Sequence, residues 1–386
     1  MTPAFARLRD GLAALAQTQG LRRRRVLDGS QGTRIRLDGQ DMLSFCSNDY
    51  LGLAAHPELI EALCTAAPSI GVGAGASHLL TGHQRAHEEL EQAFARFVGL
   101  PAALLFSTGY MANLGVVTAL VGRHGVVYSD RLNHASLNDA ALLSRAKLVR
   151  YPHGDLDALA RLMQEPVQGQ RLVMVDAVFS MDGDQADLAG LLALCEAHDA
   201  WLLVDDAHGF GVLGEQGRGS LAQTGLASPR IIYMATLGKA AGVAGAMVAG
   251  DALVVSWLVQ KARTAIYTTA SPGILASVLL KSLQLIAGAD AARDHLRQRI
   301  RQLRDGLIEG GWQVMNSATA IQPVLVGSNQ AVLNLSARLE EKGILVPAIR
   351  PPTVPLDTAR LRITLSAAHQ AEDIDRLLHA LQQVRS

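Results

Sequence analysis

Few aromatics, few cysteines, no excess charge and no long uninterrupted hydrophobic run mark this chain. Phe, Trp and Tyr together make up 4% of 386 residues, while 49% are hydrophobic and 36 are glycine. That balance describes a packed, aliphatic, loop-rich α/β protein and excludes a disordered or fibrous one. Thirty-five basic residues are matched by 35 acidic ones, leaving a formal net charge of +0. General nucleic-acid binding is therefore not expected, local basic patches aside. The three cysteines (Cys46, Cys64, Cys195) are odd in number and share no paired spacing. They read as reduced thiols, mostly buried, in a cytosolic protein, with neither a disulfide framework nor a zinc site. The longest uncharged stretch, Phe97–Gly122, contains Pro101, Ser107, Thr108, Gly109, Asn113 and Gly115. It predicts a strand, a turn and a helix rather than a membrane span. Near the N-terminus Arg7, Arg9 and Asp10 interrupt the apolar positions, so no signal-peptide core is expected. Together these absences predict a soluble, cytoplasmic protein that engages neither membrane nor nucleic acid.

What is present is a regular alternation. Residues from about Pro3 to Ala16 have helical spacing and lead to the run Leu21-Arg22-Arg23-Arg24-Arg25, a solvated or phosphate-attracting surface. From about residue 100, short apolar runs predict strands at Ala102–Phe106, Gly125–Tyr128, Leu148–Tyr151, Leu172–Asp176, Trp201–Asp205, Ile231–Met234 and Ala244–Val248. Helical stretches fall between them, including Ala112–Val121, Ser136–Arg145, Leu156–Met163 and Leu188–Ala197. Such alternation predicts a mostly parallel seven-stranded sheet with helices on both faces. The chain is expected to divide into an N-terminal helix and arm (1–45), a large α/β domain (46–287) and a small C-terminal α+β domain (288–386). The last contains strands at Ile321–Val326, Ile344–Ala348 and Leu361–Leu365, and helices at Asn329–Lys342 and Ala371–Val384.

In an open sheet of this kind, ligands collect at the carboxyl ends of the strands. Polar residues gather there: Thr108-Gly109-Tyr110, His134, Ser180, Asp205 with His208, and Lys239. A lysine in a loop is by default a solvated charge. Lys239, however, sits among Gly238, Ala240, Ala241 and Gly242, which leave little water-facing surface. A partly desolvated amine suits a Schiff-base lysine or a proton-moving base. Asp205-Asp206-Ala207-His208 could be read as metal ligands. Asp205 and Asp206 point to opposite faces of a strand, though, and no further ligands present themselves. The preferred reading makes Asp205 the acid that keeps a heterocyclic nitrogen protonated. Lysine and aspartate together are what a pyridoxal-phosphate (PLP) enzyme needs. His134 alone would be a structural residue, although it faces the same crevice. Gly109 and Tyr110 open a helix whose free N–H groups can cradle a phosphate. Ser180, Thr236 and Thr269 add hydroxyls, and Gly71-Val-Gly-Ala-Gly75 with Ser77 reads as a permissive loop near a ligand.

With these residues assembled, the chain resembles the α-oxoamine synthases, a family of fold-type-I PLP enzymes. The motifs FCSNDYLGL (45–53), SDRLNHASL (129–137), VFSMDGD (178–184), WLLVDDAHGFGVLGEQGRG (201–219), TLGKAAGVAG (236–245) and AIRPPTVPLDTARLRITLSAAH (348–369) carry the resemblance. It implies that Lys239 holds the cofactor and moves the Cα proton of an amino acid. It also implies that Asp205 pairs with the ring nitrogen, His208 meets the phenolic oxygen and His134 stacks on the ring. Gly109, Tyr110, Ser180 and Thr236 would hold the cofactor and its phosphate, with Thr269 reaching in from the partner subunit of a homodimer that shares its active sites. Arg22 and Thr353 match substrate positions, Arg362 with Asn48 is expected to take the amino-acid carboxylate, and Arg350 is a second acyl or carboxylate contact. No metal is implied.

Within that family the RPPTVP segment resembles one branch, and that resemblance implies L-alanine condensing with a pimeloyl thioester, carried by CoA or acyl carrier protein, with loss of CO2. Rival readings within the family use glycine, as 2-amino-3-ketobutyrate ligases and 5-aminolevulinate synthases do. A PLP aminotransferase or aldolase is more distant. A non-catalytic PLP-binding regulator would carry a DNA-binding domain, for which the short N-terminal segment leaves no room. Three departures are expected to affect substrate fit: Ala241 where relatives are bulkier, thinning the pocket wall; Asp176 where Glu is usual; and His78 where several relatives have Arg.

Overall fold

The structure is a computed structural model that describes residues 3–17 and 20–385. A helix over Pro3–Gln17 precedes the strands with Phe5, Leu8, Leu12 and Leu15 all exposed, so the apolar stripe that predicts this helix is not buried against the described residues. Three short strands follow: β1 (Leu27–Asp28), β2 (Arg34–Leu37) and β3 (Gln40–Ser44). Helices at Pro57–Ile70 and Arg85–Val98 then lead into the main sheet.

The main sheet consists of β4 (Ala102–Phe106), β5 (Val126–Asp130), β6 (Lys147–Tyr151), β7 (Arg171–Asp176), β8 (Ala200–Asp205), β9 (Ile231–Thr236) and β10 (Ala246–Gly250). Their order is β4-β10-β9-β8-β7-β5-β6. β10 alone runs antiparallel, to both β9 and β4, and the remaining pairs are parallel. This is the expected fold: seven strands, mostly parallel, flanked by helices. The inner strands are continuous apolar runs because both faces are covered. Leu172–Val175 and Leu202–Val204 are almost entirely inaccessible to solvent.

The C-terminal portion holds β11 (Ile321–Gly327), β12 (Ile344–Leu345), β13 (Ala348–Ile349) and β14 (Ala359–Thr364). Here the sequence reading needs correction. Ile344–Ala348 is two strands, not one. β12 pairs in parallel with β3 near the other end of the chain, and β13 pairs with β14. Val346-Pro347 separates them, and proline cannot donate to a ladder. The sheet β1-β2-β3-β12 was not anticipated either, because its last pairing joins segments about 300 residues apart in sequence. Among the described residues, no single helix is long and apolar enough to cross a membrane.

One ion cluster pins the loop after β7. His153 Nδ1 lies 3.0 Å from Asp130 Oδ1, and its Nε2 lies 2.8 Å from Asp184. Hydrogen bonds to Asp130 and Asp184 raise the imidazole pKa from 6.5 to about 10. The stabilisation is therefore fully present below about pH 6.5 and is lost as pH rises through about 10. In paired thermal melts, His153→Gln should cost most below pH 6.5, and the difference should shrink towards pH 10. A constant difference across that window would rule out the charged bridge.

Candidate active site

The carboxyl ends of the parallel strands open into a crevice of about 570 Å³, part of it open to solvent. Gly109, Tyr110, His134, Ser180, Asp205, His208, Thr236 and Lys239 all line it, as do Ser136 and Asp176. The convergence follows from chain direction. Each of β4, β5, β7, β8 and β9 delivers its following loop to the same edge, and the helix Gly109–Leu120 begins there. Thr108 caps that helix by accepting from the Met111 N–H at 3.1 Å. The next free N–H groups of its first turn thus face the crevice mouth.

Lys239 lies three residues beyond the end of β9 in a loop closed on itself, with the Leu237 N–H bonded to Gly245 O at 2.8 Å and the Gly242 N–H to Lys239 O at 2.8 Å. Gly242 has φ +70°, and a Cβ there would sit 2.6 Å from the Leu53 carbonyl carbon, so only glycine lets the loop pack this closely. Burial lowers the Lys239 pKa from 10.5 to about 8, with Arg362 adding to the effect and Asp205 and Asp176 opposing it. Its Nζ is 2.7 Å from His208 Nε2. His208 is buried, and burial together with the Lys239 and Arg362 charges holds its pKa well below 6.5.

Asp205 forms the floor. One carboxylate oxygen accepts from Asn113 Nδ2 at 2.8 Å, the other from the Ala207 N–H at 3.1 Å. Asn113 is fully buried and also donates to Ser136 Oγ at 2.9 Å. Ser136 Oγ is in turn 2.8 Å from His134 Nδ1, which also accepts the Ser136 N–H at 3.2 Å. His134 Nδ1 is thus an acceptor, which leaves Nε2 as the N–H donor on the exposed side of the ring. Asp206 points the other way, accepting from Ser220 and from Tyr233 Oη at 2.7 Å. Those bonds remove it from any shared metal site with Asp205.

Beside Asp205 in register stands Asp176. Its Oδ2 accepts the His134 N–H at 3.1 Å, and its Oδ1 is buried with no partner. Burial first, and then the Asp205 charge, push its pKa well above 3.8.

Arg362 on β14 reaches the rim from the small sheets. Its Nε donates to Ser180 O at 2.6 Å, Nη1 to Thr364 Oγ1 at 2.8 Å and Nη2 to Asn48 Oδ1 at 3.3 Å. Arg360, two residues earlier and on the same face of the strand, holds Asp182 at 2.6 Å. The two arginines together fix the loop that carries Ser180.

Other expected residues stand apart from this cluster. Arg22, Arg350, Thr353 and Thr269 do not line the crevice, and Arg362 and Asn48 adjoin it only through the Arg362 bond to Ser180. Arg22, Thr353 and Thr269 are exposed, and Arg350 is half-buried. Nor does the Gly71–Gly75 loop line it. Ala241 is fully buried and does not line the crevice, and its carbonyl accepts from Ser282 on the helix Gly273–Ala287 at 2.8 Å. Of the three departures, only Asp176 touches the crevice. His78 instead meets His83 and His87, whose ring nitrogens come within reach of a common ion. His87, however, already accepts the Gln84 N–H at 3.0 Å and faces Ser271 O at 2.8 Å. With both its nitrogens engaged, the trio is not a three-imidazole metal site.

Residues 40–381 match the family model for class I and II aminotransferases. The chain is 60% identical to an 8-amino-7-oxononanoate synthase of Herminiimonas arsenicoxydans, over 96% of this chain and 97% of that protein. The chain belongs to the 8-amino-7-oxononanoate synthases. A structure of a serine palmitoyltransferase with PLP superposes with a TM-score of 0.92 at 30% identity, covering 97% and 96% of the two chains. An 8-amino-7-oxononanoate synthase from Francisella tularensis superposes at 0.78 with 29% identity, over 89% and 97%. The shape match alone favours the transferase. The 60% identity over nearly full length outweighs it, because backbone shape is shared across the whole fold while substrate choice lies in side chains.

The synthase is a PLP-dependent enzyme, and its crevice fits that cofactor chemically. The donor set comprises a partly desolvated amine, a buried carboxylate, an imidazole on an open wall and a helix N-terminus. The unpaired Asp176 Oδ1 offers one more polar contact. Residues missed by sequence reasoning are Asn113, Ser136 and Tyr50. For Asn113 a signal existed, since it is the one polar side chain in the apolar stretch Met111–Val117.

Proposed function

We propose that the crevice joins L-alanine to a pimeloyl thioester, releasing CO2 and the thiol and giving 8-amino-7-oxononanoate for biotin biosynthesis. The observation that carries this reading is a buried guanidinium, Arg362, held at the rim of the cavity that contains the Lys239 amine and the Asp205 carboxylate. It is placed to pair with an amino-acid carboxylate while the amine works at the adjacent carbon. When bound, PLP would supply the electron sink for the pair left at the alanine Cα.

The chain's own residues do the rest. Lys239 Nζ anchors the cofactor and takes the Cα proton, which an amine with a pKa of about 8 can do near neutral pH. Asp205 keeps a proton on the ring nitrogen, with Asn113 steadying the carboxylate. His134 presents a ring face and an Nε2–H to cofactor and substrate, and His208 meets the phenolic oxygen. Gly109, Tyr110, Ser180 and Thr236 hold the phosphate end at the helix N-terminus. Arg22, Arg350 and Thr353 serve the acyl donor. Thr269, exposed and off its own crevice, serves the partner subunit of a homodimer. Free Cys46, Cys64 and Cys195 suit a cytoplasmic setting.

A thiol-release assay tests the substrates. Alanine with a pimeloyl thioester should release thiol faster than glycine with acetyl- or succinyl-CoA, or serine with palmitoyl-CoA. Release only with glycine or only with serine would overturn the assignment.

A further inference from the structure

Tyr50 belongs to none of the roles above, yet it is completely buried and touches the residue that touches Lys239. Its Oη is 2.5 Å from His208 Nδ1 and 3.3 Å from Asn48 Oδ1. We propose that Tyr50 is a positioning residue that fixes His208 as the Nδ1–H tautomer, so that the electron pair on Nε2 faces the Lys239 amine. The proposal deepens the reading of Lys239 as the proton-moving base and rests on it for its consequence.

The direction of each bond follows from counting donors. Arg362 Nη2 can only donate, and it points at Asn48 Oδ1, which fixes that atom as the amide oxygen. A phenol has one hydrogen. The Tyr50 hydrogen goes to Asn48 Oδ1, which cannot donate, and a lone pair on Oη is left to face His208. His208 Nδ1 must then carry the hydrogen of that bond. A neutral imidazole with a hydrogen on Nδ1 has a bare Nε2, and Lys239 Nζ donates to it at 2.7 Å. Burial keeps the ring neutral, so this arrangement persists rather than giving way to an imidazolium. The result is one directed path, from Lys239 to His208 to Tyr50 to Asn48, with Arg362 closing its far end. It sets where the Lys239 proton can rest, and it joins the group that moves a proton to the group that meets the carboxylate.

The opposite setting, Tyr50 donating to Nδ1, would place an N–H on Nε2 towards Lys239. That hydrogen would compete with the amine's own donors and would leave Asn48 Oδ1 with Arg362 alone. Loss of the phenol hydroxyl removes the only partner of His208 Nδ1 among the described residues, so the tautomer is expected to relax.

The test is 15N NMR of the histidine rings in full-length protein before PLP is loaded and with no substrate present, the state in which the Lys239 amine faces His208 Nε2. The His208 signal is assigned by its absence in His208→Gln. Wild-type protein should show Nδ1–H at His208, and Tyr50→Phe should shift the population to Nε2–H or a mixture. The same variant should lose about tenfold in kcat with alanine KM within about twofold, as expected for a residue that orients a group and does not bind substrate. Nε2–H in the wild type, or an unchanged tautomer in a folded Tyr50→Phe, would overturn the proposal. The wild-type spectrum decides even if the variant does not fold. Because no substrate enters the NMR measurement, its failure is separate from failure of the thiol-release assay.

Discussion

Lys239→Ala should lower kcat/KM for thiol release by ~10⁴-fold or more, while the protein stays folded and can still retain PLP non-covalently. A positioned proton-transfer group alone contributes ~10²–10⁴-fold, and this amine also anchors the cofactor. No neighbour can stand in for it. His208, 2.7 Å away, is held neutral because burial keeps its pKa well below its ordinary value, and Arg362 is tied to Ser180, Thr364 and Asn48. Folding should survive because Lys239 makes no ion pair within the crevice, and its loop is closed by backbone bonds that alanine keeps. Single-turnover kinetics beside a near-UV circular dichroism spectrum would check both halves. Near-native turnover in the variant would remove Lys239 from the mechanism.

The second large effect is expected at Asp205. Asp205→Ala should reduce kcat by ~10²–10³-fold, the usual scale for removing a charge aimed at developing charge in a buried site. Asp176 stands beside it in register but cannot take over, because burial, the larger of the two causes that raise its pKa, still holds it towards its protonated form once the Asp205 charge is gone. Removing Asp205 also strips Asn113 of one acceptor, since Asn113 Nδ2 is shared between Asp205 Oδ2 and Ser136 Oγ. Part of the loss should therefore appear as a weaker hold on PLP, read by equilibrium dialysis. A variant that kept both its turnover and its PLP would contradict the role of Asp205.

The crevice was legible because each of its main residues ends an apolar run, and the ends of parallel strands meet in space whatever the loops between them do. Asp205 after Trp201–Val204 and Lys239 after Ile231–Met234 are the clearest cases. Tyr50 was hidden for the opposite reason. Its neighbour His208 lies 158 residues away, and nothing in FCSNDYLGL says which side chain its hydroxyl will meet. Asn113 was readable only as an odd polar residue in an apolar helix, and its partner was not. The division of Ile344–Ala348 into two strands serving two sheets depended on β3, far earlier in the chain. Ala241 misled because a small residue next to a functional lysine suggests an open wall, whereas it is fully buried and does not line the crevice.

The central claim is that Lys239 is the amine that holds PLP. Borohydride reduction of the PLP-loaded enzyme, followed by peptide mapping, tests it most directly. A pyridoxyl group should be found on the peptide containing Lys239. Labelling at Lys147, Lys261, Lys281 or Lys342 instead, with Lys239 unmodified, would contradict the account.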